Sequence, residues 1–286
     1  MIMPGCLYLL VNNYMPLLGI FIAFKKIDYS VGIWNSDWVG FSNFKYLFAS
    51  SDAWLMTRNT ILYNVAFIVI GNVAAIFVAI LLNDLVFSRL KKFYQTAILL
   101  PQLISIIIIS YVVYAFLSNE AGLITRALAE SGTINFYQEP FYWPFILIFI
   151  NVWKGLGYST IIYLSSIVGI DRSLYEAAAI DGCNKINQIF KVTLPSLKPT
   201  IITLVILSVG RIFFSDFGLF YQVPMNSGAL FSVTQTIDTY VYRSLLQLNN
   251  ISMSSAASVY QSIVGFVLVM ATNAIVRKVD KENAMF

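Results

Sequence analysis

The stretch DRSLYEAAAIDGCNKINQIFKVTLPSLK, from Asp171 to Lys198, lies between two long apolar runs and is too polar to cross a membrane. Leu174, Ala177, Ala178 and Ile180 recur at helical spacing and predict one apolar face of a short helix. Gly182 permits a sharp turn, and Asn184 to Phe190 predicts a second short helix that Leu194 and Pro195 end. Helix, turn and helix make a compact knob. Such a knob transmits force only to a partner with a groove that takes it, so the stretch reads as a docking element or as an ordinary interfacial loop.

The flanking runs, Trp143 to Ile167 and Thr200 to Tyr221, each supply the roughly 20 apolar residues that a helix needs to cross hydrocarbon. Four further runs meet the same test: Leu7 to Phe24, Thr60 to Leu82, Tyr94 to Leu117, and Ala256 to Val276, the last closed by Arg277 and Lys278. Pro101 lies near the start of the third run and should kink or break it, while Gly155 and Gly157 stand at the middle of the fourth. The expected fold is all-α and integral to the membrane: six transmembrane helices in one domain over residues 1–286, with residues 171–198 as a loop within it. No Lys or Arg precedes the first run and no small-residue cleavage site stands out, so a retained span is expected there rather than a signal peptide.

Composition agrees with a membrane chain. Of 286 residues, 58% are hydrophobic and 11% charged, against about 25% charged in soluble domains. The absence of histidine and the presence of only Cys6 and Cys183 remove the raw material for histidine acid/base chemistry, Cys/His zinc sites and a disulfide scaffold. No metal site and no catalytic residue is expected; Cys6 reads as buried and Cys183 as a thiol of the loop. A net charge of +4 without a long basic run gives nucleic acid no electrostatic footing. Neither GxxxxGKS nor GxxxxGKT occurs, so ATP phosphates have no cradle in this chain.

Lys and Arg divide unequally between the two ends of the spans. Arg89, Lys91, Lys92, Arg172, Lys185, Lys191, Lys198, Arg277, Lys278 and Lys281 fall on one side; Lys25, Lys26, Lys45, Arg58, Arg126 and Arg243 fall on the other. The side with ten is expected to be cytoplasmic, which puts both termini and the Asp171 to Lys198 loop inside. Outside, Trp34, Trp38, Phe41, Phe44, Tyr46, Phe48 and Trp54 suit a segment, Lys25 to Asn59, lying in the interface. Ile237, Tyr240, Val241, Leu245 and Leu248 predict a short amphipathic helix on that same face.

Within the loop, Glu176, Ala177, Ala178, Asp181, Gly182, Val192, Leu194 and Pro195 keep the spacing of the EAA loop of binding-protein-dependent ABC importer permeases, with Val192 where Ile is usual. The likeness extends over nearly the whole chain through WVGFSNFKYLF (Trp38 to Phe48), Asn59 and Thr60, LLP ending at Pro101, NVWKGLGYSTIIYL (Asn151 to Leu164) and TYVYR (Thr239 to Arg243). The sequence resembles the oligosaccharide and polysaccharide permeases of this group, and among them those of the alginate oligosaccharide importers. That resemblance implies the type I ABC importer permease fold, with the loop as a coupling helix seated in a cleft of a cytoplasmic ATP-binding subunit. Carried over residue by residue, Glu176, Ala177, Ala178, Asp181 and Gly182 would dock the ATPase, and Leu194 and Pro195 would set the loop's return to the membrane. It also implies a second, non-identical permease subunit, two ATP-binding subunits that carry ATP and Mg, a periplasmic substrate-binding protein, and a place among the lipids of the bacterial inner membrane. This chain itself would bind no cofactor.

Two cations fall inside spans. Lys154 lies 11 residues past Trp143 and Arg211 lies 12 past Pro199, which at 1.5 Å per residue places both about 16 to 18 Å deep, near the midplane. A cation there costs about 2.5 to 3.5 kcal/mol on insertion scales, so neither should face lipid. Helical spacing puts Asn151, Lys154 and Tyr158 on one face of the fourth span, and Ser208, Arg211, Ser215 and Gly218 on one face of the fifth. Two polar stripes predict a hydrated substrate path in which the cations meet an acidic saccharide, such as a uronate oligomer, and Tyr158, Phe213 or Phe214 offers a ring face. The competing reading is structural: Arg211 paired with Asp216, and Lys154 bonded to backbone carbonyls.

The implied function is passage of an oligosaccharide from a periplasmic binding protein to the cytoplasm by alternating access, with ATP hydrolysed by partner subunits, so this chain is not itself an enzyme. An ion-coupled secondary transporter of a sugar or other polar solute is the alternative; it is disfavoured because Asp216 stands nearly alone where a proton relay needs a chain of intramembrane carboxylates. An intramembrane enzyme lacks histidine and any clustered catalytic set. Only the first reading requires an ATP-binding partner.

Overall fold

The computed structural model describes residues 2–119, 122–128 and 135–279, so Lys281 of the charge count lies outside the described residues. In chain order the principal helices are α1 (Met3–Phe24), α2 (Ser51–Asn83), α3 (Ser88–Leu103), α4 (Ile106–Leu117), α5 (Pro140–Val168), α6 (Arg172–Ile180), α7 (Lys185–Val209), α8 (Ile237–Leu246) and α9 (Ile251–Ala274). By length and composition α1, α2, α5, α7 and α9 can each cross a bilayer, and α3 with α4 make a sixth candidate bent by 92°. The fold is mainly helical, as expected. A two-residue antiparallel ladder, Lys25 opposite Trp38 and Lys26 opposite Asp37, is an addition to the all-α expectation.

The third span is broken rather than kinked. Pro101 sits inside α3, and the chain leaves helical geometry only after Leu103; Ser105 then accepts from the Ile107 N–H at 3.4 Å to start α4. The fifth span departs from expectation at both ends. Leu194 and Pro195 do not stop the second loop helix, because Ile189–Thr193 widens to π geometry, with the Leu194 N–H bonded to the Ile189 carbonyl, and Pro195 has no N–H to place after that wide turn. One helical run therefore leads from the loop into the membrane. It ends at Val209; Gly210 to Phe213 form a turn, and a short π-helix follows over Gly218–Gln222, in place of the continuous helix expected as far as Tyr221.

Because lipid tails are as apolar as leucine, these helices are held by close packing and hydrogen bonds rather than by exclusion of water. Helix α2 runs along α5, where Ala75 and Ala79 bury against Tyr163, Leu164 and Ile167, and the Tyr163 hydroxyl meets the side-chain oxygen of Asn72. A second cluster gathers Tyr63, Trp143, Leu147, Phe220 and Val223; the Trp143 ring N–H donates to the Phe136 carbonyl at 2.6 Å. A third gathers Leu47, Met56, Phe213, Ile237 and Ala257. Val65, Val69, Val73, Phe145, Phe149 and Phe266 point outward, as lipid- or partner-facing surfaces require. Only the C-terminal part of α1 packs on the rest of the chain, so Cys6 is exposed instead of buried.

On the side expected to face outward, Trp34, Trp38, Phe41, Tyr46, Phe48 and Trp54 are exposed, in keeping with an interfacial segment, whereas Phe44 is partly buried against Phe24 and Phe41. Asn43 closes the end of α1 by donating to the carbonyls of Ala23 and Lys25 at 2.8 and 3.0 Å. Helix α8 forms where the spacing predicts it, started by a reciprocal cap between Thr236 and Thr239. Arg243 on α8 is 7% exposed, donates through Nε to Asn226 at 2.9 Å and lies 3.8 Å over the Phe231 ring. Burial lowers its pKa to about 10, which leaves it charged at neutral pH.

Helix α5 crosses α3 at Gly157, where an added Cβ would lie 2.2 Å from the Ile98 carbonyl oxygen; at Gly155 it would meet nothing within 4 Å. Gly157→Ala should lower stability by about 1 to 3 kcal/mol through overpacking, whereas Gly155→Ala should leave the melting temperature of the purified protein unchanged. Thermal unfolding of the two variants in one detergent checks the crossing.

Candidate functional site

Two places combine local structure with unmet chemistry. The first is the knob between α5 and α7. Asp171 accepts from the Ser173 N–H at 2.9 Å, which starts α6 and holds the Asp171 carboxyl below its ordinary pKa. At the other end the Gly182 N–H donates to Ala179 at 3.0 Å and the Cys183 N–H to Ala178 at 2.9 Å, with Gly182 at φ +77°, the left-handed cap that glycine favours. Asn184 caps the start of α7 by accepting from the Asn187 N–H at 2.8 Å. The turn expected at Gly182 is thus a helix cap, and the space around it is open, with nothing within 4 Å of an added Cβ.

Glu176, Ala177, Asp181 and Gly182 are exposed and Ala178 is partly buried. Leu174, Ile180, Ile186 and Phe190 also lie open, Ile180 being 87% exposed. The knob is fastened from behind: the Tyr175 hydroxyl lies 2.9 Å from Thr193 Oγ1, and Lys185 Nζ lies 3.0 Å from Asp84 at the end of α2. An exposed ion pair of this kind contributes about 1 kcal/mol or less, so it orients the knob more than it stabilises it. Leu194 and Pro195 belong to the continuous helix α7 and do not end the loop.

The second place is a cavity of about 710 Å³ among α2, α5 and the end of α7. Asn151, Tyr158, Ser208, Arg211 and Ser215 all line it. Helical spacing does not bring the last three together, since the helix has ended; the turn after Val209 carries Arg211 and Ser215 to the same wall as Ser208. Arg211 has no ion pair with Asp216 within 4 Å, although both line the cavity. Asp216 instead accepts from the Leu219 N–H at 3.1 Å. Phe214 presents its ring here, whereas Phe213, 1% exposed, is packed in the core and offers no face to a ligand.

Lys154 is not among the lining residues. Its ammonium lies 3.5, 3.1 and 2.7 Å from the carbonyl oxygens of Pro101, Gln102 and Ile104, at the break between α3 and α4. This geometry matches the competing structural reading of Lys154, bonded to backbone carbonyls at the negative end of a broken helix, rather than its placement on a cavity-facing stripe. Sequence reasoning missed Asn64, Asn72 and Ser159, which also line the cavity. Amides at 64 and 72, eight residues apart inside an apolar run and so on one helix face, were the available signal.

Residues 71–281 match the family described as "Binding-protein-dependent transport system inner membrane component". The chain belongs to this family of permeases. It is 34% identical over 286 residues, 99% of this chain and 88% of the relative, to the polygalacturonan/rhamnogalacturonan transport system permease protein YteP of Bacillus subtilis (strain 168). It is 32% identical over 250 residues, 87% of this chain and 82% of the relative, to the sn-glycerol-3-phosphate transport system permease protein UgpA of Escherichia coli (strain UTI89 / UPEC). Among solved structures it resembles a bacterial ABC transporter involved in the import of the acidic polysaccharide alginate, with a TM-score of 0.86 and 29% identity over 97% of this chain and 93% of that one. A bacterial alginate ABC transporter in complex with an alginate pentasaccharide-bound periplasmic protein gives a TM-score of 0.85 at 28% identity, over 98% and 93% of the two chains. The permease is thus a membrane protein of the type I importer fold, the fold expected from its EAA loop.

The two intramembrane cations should separate cleanly. Lys154→Met leaves three carbonyls without their donor and should destabilise the permease by about 1 to 3 kcal/mol. Arg211→Gln, which removes no partner, should leave the melting temperature unchanged. Thermal unfolding of both variants, followed by near-UV circular dichroism, measures the difference.

Proposed function

We propose that this permease and a second, non-identical permease together form the path of an ATP-driven importer for an acidic oligosaccharide. The observation that carries the reading is the cavity beside Arg211. Its walls hold amides (Asn64, Asn72, Asn151), hydroxyls (Ser159, Ser208), ring faces (Tyr158, Phe214) and one guanidinium free of ion pairing. Amides and hydroxyls exchange hydrogen bonds with sugar hydroxyls, rings stack on pyranose faces, and a guanidinium takes a carboxylate through two parallel bonds. A volume of about 710 Å³ falls within the 300 to 1,000 Å³ usual for ligand sites, at about the middle of that range. The polygalacturonan relative and the alginate transporter support an acidic polymer as cargo.

Of two ATP-binding subunits carrying ATP and Mg, one would take the exposed face of the knob, Glu176 to Gly182, in its cleft, and the other would take the corresponding knob of the second permease. Their closure pulls α6, and α7 carries the movement into the membrane as one rod ending at the Arg211 turn. The cavity then opens alternately outward, where a periplasmic binding protein delivers the saccharide, and inward. In this arrangement both termini are cytoplasmic, in accord with the excess of Lys and Arg beside the knob.

Two measurements test the reading. In the complex purified with its binding protein, uronic-acid oligosaccharides should stimulate ATP hydrolysis and neutral ones should not, and Arg211→Gln should weaken the acidic response about tenfold, equivalent to about 1.4 kcal/mol. Equal stimulation by neutral sugars would remove the acidic assignment, and a permease that purifies without any ATPase would remove the importer. Gly182→Asp should insert and fold, since Asp tolerates the left-handed region at a cost of about 1 kcal/mol, yet abolish stimulation by filling the open space where the ATPase seats. Normal stimulation in that variant would exclude the docking role.

A further inference from the structure

Helix α7 stops about 15 Å after the apolar run begins at Thr200, so the backbone after Val209 is irregular at membrane depth. Such backbone persists only where protein groups satisfy it. The Phe213 carbonyl accepts from Gln261 Nε2 at 2.9 Å and the Phe214 carbonyl from Asn64 Nδ2 at 3.0 Å. The Ser215 N–H donates to Asp238 Oδ2 at 2.7 Å. That same oxygen accepts from the Ser215 hydroxyl at 2.7 Å and from Gln261 Nε2 at 3.1 Å.

Asp238 belongs to the first turn of α8, and the start of α8 is pinned to α2. The Ile237 N–H donates to Thr60 Oγ1 at 3.2 Å, and Asn59 Nδ2 donates to the carbonyls of Ser232 and Gln235 at 3.2 and 3.0 Å. One carboxylate oxygen therefore joins the outer helix α8, the span α9 through Gln261, and the wall of the cavity through Ser215. The turn it grips is the one that presents Arg211 and Phe214 to the cavity.

We infer that Asp238 is the positioning residue through which a shift of the outer segment, Val223 to Ser255, moves the cavity wall that carries Arg211. The inference deepens the proposed function and rests on it in taking that segment as the face where the binding protein seats. Thr236, the N-cap of α8, also meets the Ser215 hydroxyl, at 2.7 Å, and Asn64 and Gln261 hold carbonyls of the turn from neighbouring spans; among the described residues only Asp238 takes the Ser215 backbone N–H from the outer helix while also accepting from Gln261 of α9. In Asp238→Asn the charge is lost, and a side-chain NH2 that turned toward Ser215 would oppose donor to donor. Asp238→Glu keeps the acceptor but displaces it by one methylene.

The ATPase test uses the reconstituted complex with its binding protein; the labelling test alone adds Cys6 and Cys183 replaced by Ser, and Phe214→Cys as a reporter for a water-soluble maleimide. Asp238→Asn should cut the maximal binding-protein-stimulated ATPase rate about tenfold while the half-saturating concentration of binding protein stays within twofold, and Asp238→Glu should restore part of the rate. A native maximal rate in Asp238→Asn, or a loss of rate accompanied by an equal rise in half-saturation, overturns the inference, the second result being that of a general packing defect. Labelling of the reporter without binding protein decides the matter independently of the importer reading. Freed from Asp238, the turn should label severalfold faster in Asp238→Asn than in the native background, and an unchanged rate overturns the inference. Absence of stimulation in the native complex would count against the importer alone.

Discussion

Inside hydrocarbon there is no water to pair with a peptide group, and each one left alone costs several kcal/mol. A straight helix meets that constraint by itself. This permease breaks it twice at membrane depth, after Leu103 and after Val209, and both breaks survive because neighbouring spans supply the missing partners. At the first, Lys154 of α5 takes the carbonyls of Pro101, Gln102 and Ile104. At the second, Asn64 of α2, Gln261 of α9 and Asp238 of α8 take the carbonyls of Phe213 and Phe214 and the N–H of Ser215. The side chains that look out of place in apolar runs are those that make irregular backbone affordable.

The breaks in turn make the cavity. Had α7 continued to Tyr221, Arg211 would project from the side of a helix and its partners would be fixed by helical spacing. Because α7 ends at Val209, the chain turns and brings Arg211, Phe214, Ser215 and Asp216 together against α2 and α5. The continuous part of α7 matters as much as its end. From Lys185 to Val209 it runs without a break through the wide turn at Ile189–Thr193, about 37 Å of rod at 1.5 Å per residue, anchored to the knob by Tyr175 and Thr193. A displacement at the knob is therefore not absorbed in a loop before it reaches the turn.

Much of this was legible in the sequence, and the failures have definite causes. Long apolar runs place spans reliably because the bilayer imposes their length, and Asn184, Gly182 and the Glu176 to Ala178 run mark the knob because caps and turns are local chemistry. Periodicity failed where tertiary partners override it. Within residues 200–221 the one local stop signal is Gly210, the C-cap of α7, which alone does not end an apolar run; the groups that replace the lost hydrogen bonds sit at 64, 238 and 261. Pro195 reads as a terminator because a proline in a regular helix clashes with the carbonyl four residues back; the wide turn that precedes it, Ile189–Thr193, is invisible in composition. Lys154 and Arg211, alike in depth by arithmetic, have opposite situations, one pinned by three carbonyls and one unpaired at a cavity wall. Depth alone cannot distinguish a cap from a ligand site.

The cavity's charge also limits what one subunit can select. Arg211 is matched in the lining by Asp216, and with Lys154 committed to the α3 break the wall carries no excess positive charge. A polyuronate chain has a carboxylate on each sugar, so one guanidinium can recognise one of them while the others meet amides and hydroxyls. In the proposed importer, selection of an acidic polymer over a neutral one rests either on that single contact, amplified by the low dielectric of a closed cavity, or on cations that a second permease would contribute from the opposite wall. Two unlike permeases allow the second solution without placing further charges in either apolar chain. A further cation satisfied as Lys154 is, by backbone carbonyls, would be unavailable to the cargo for the same reason that Lys154 is.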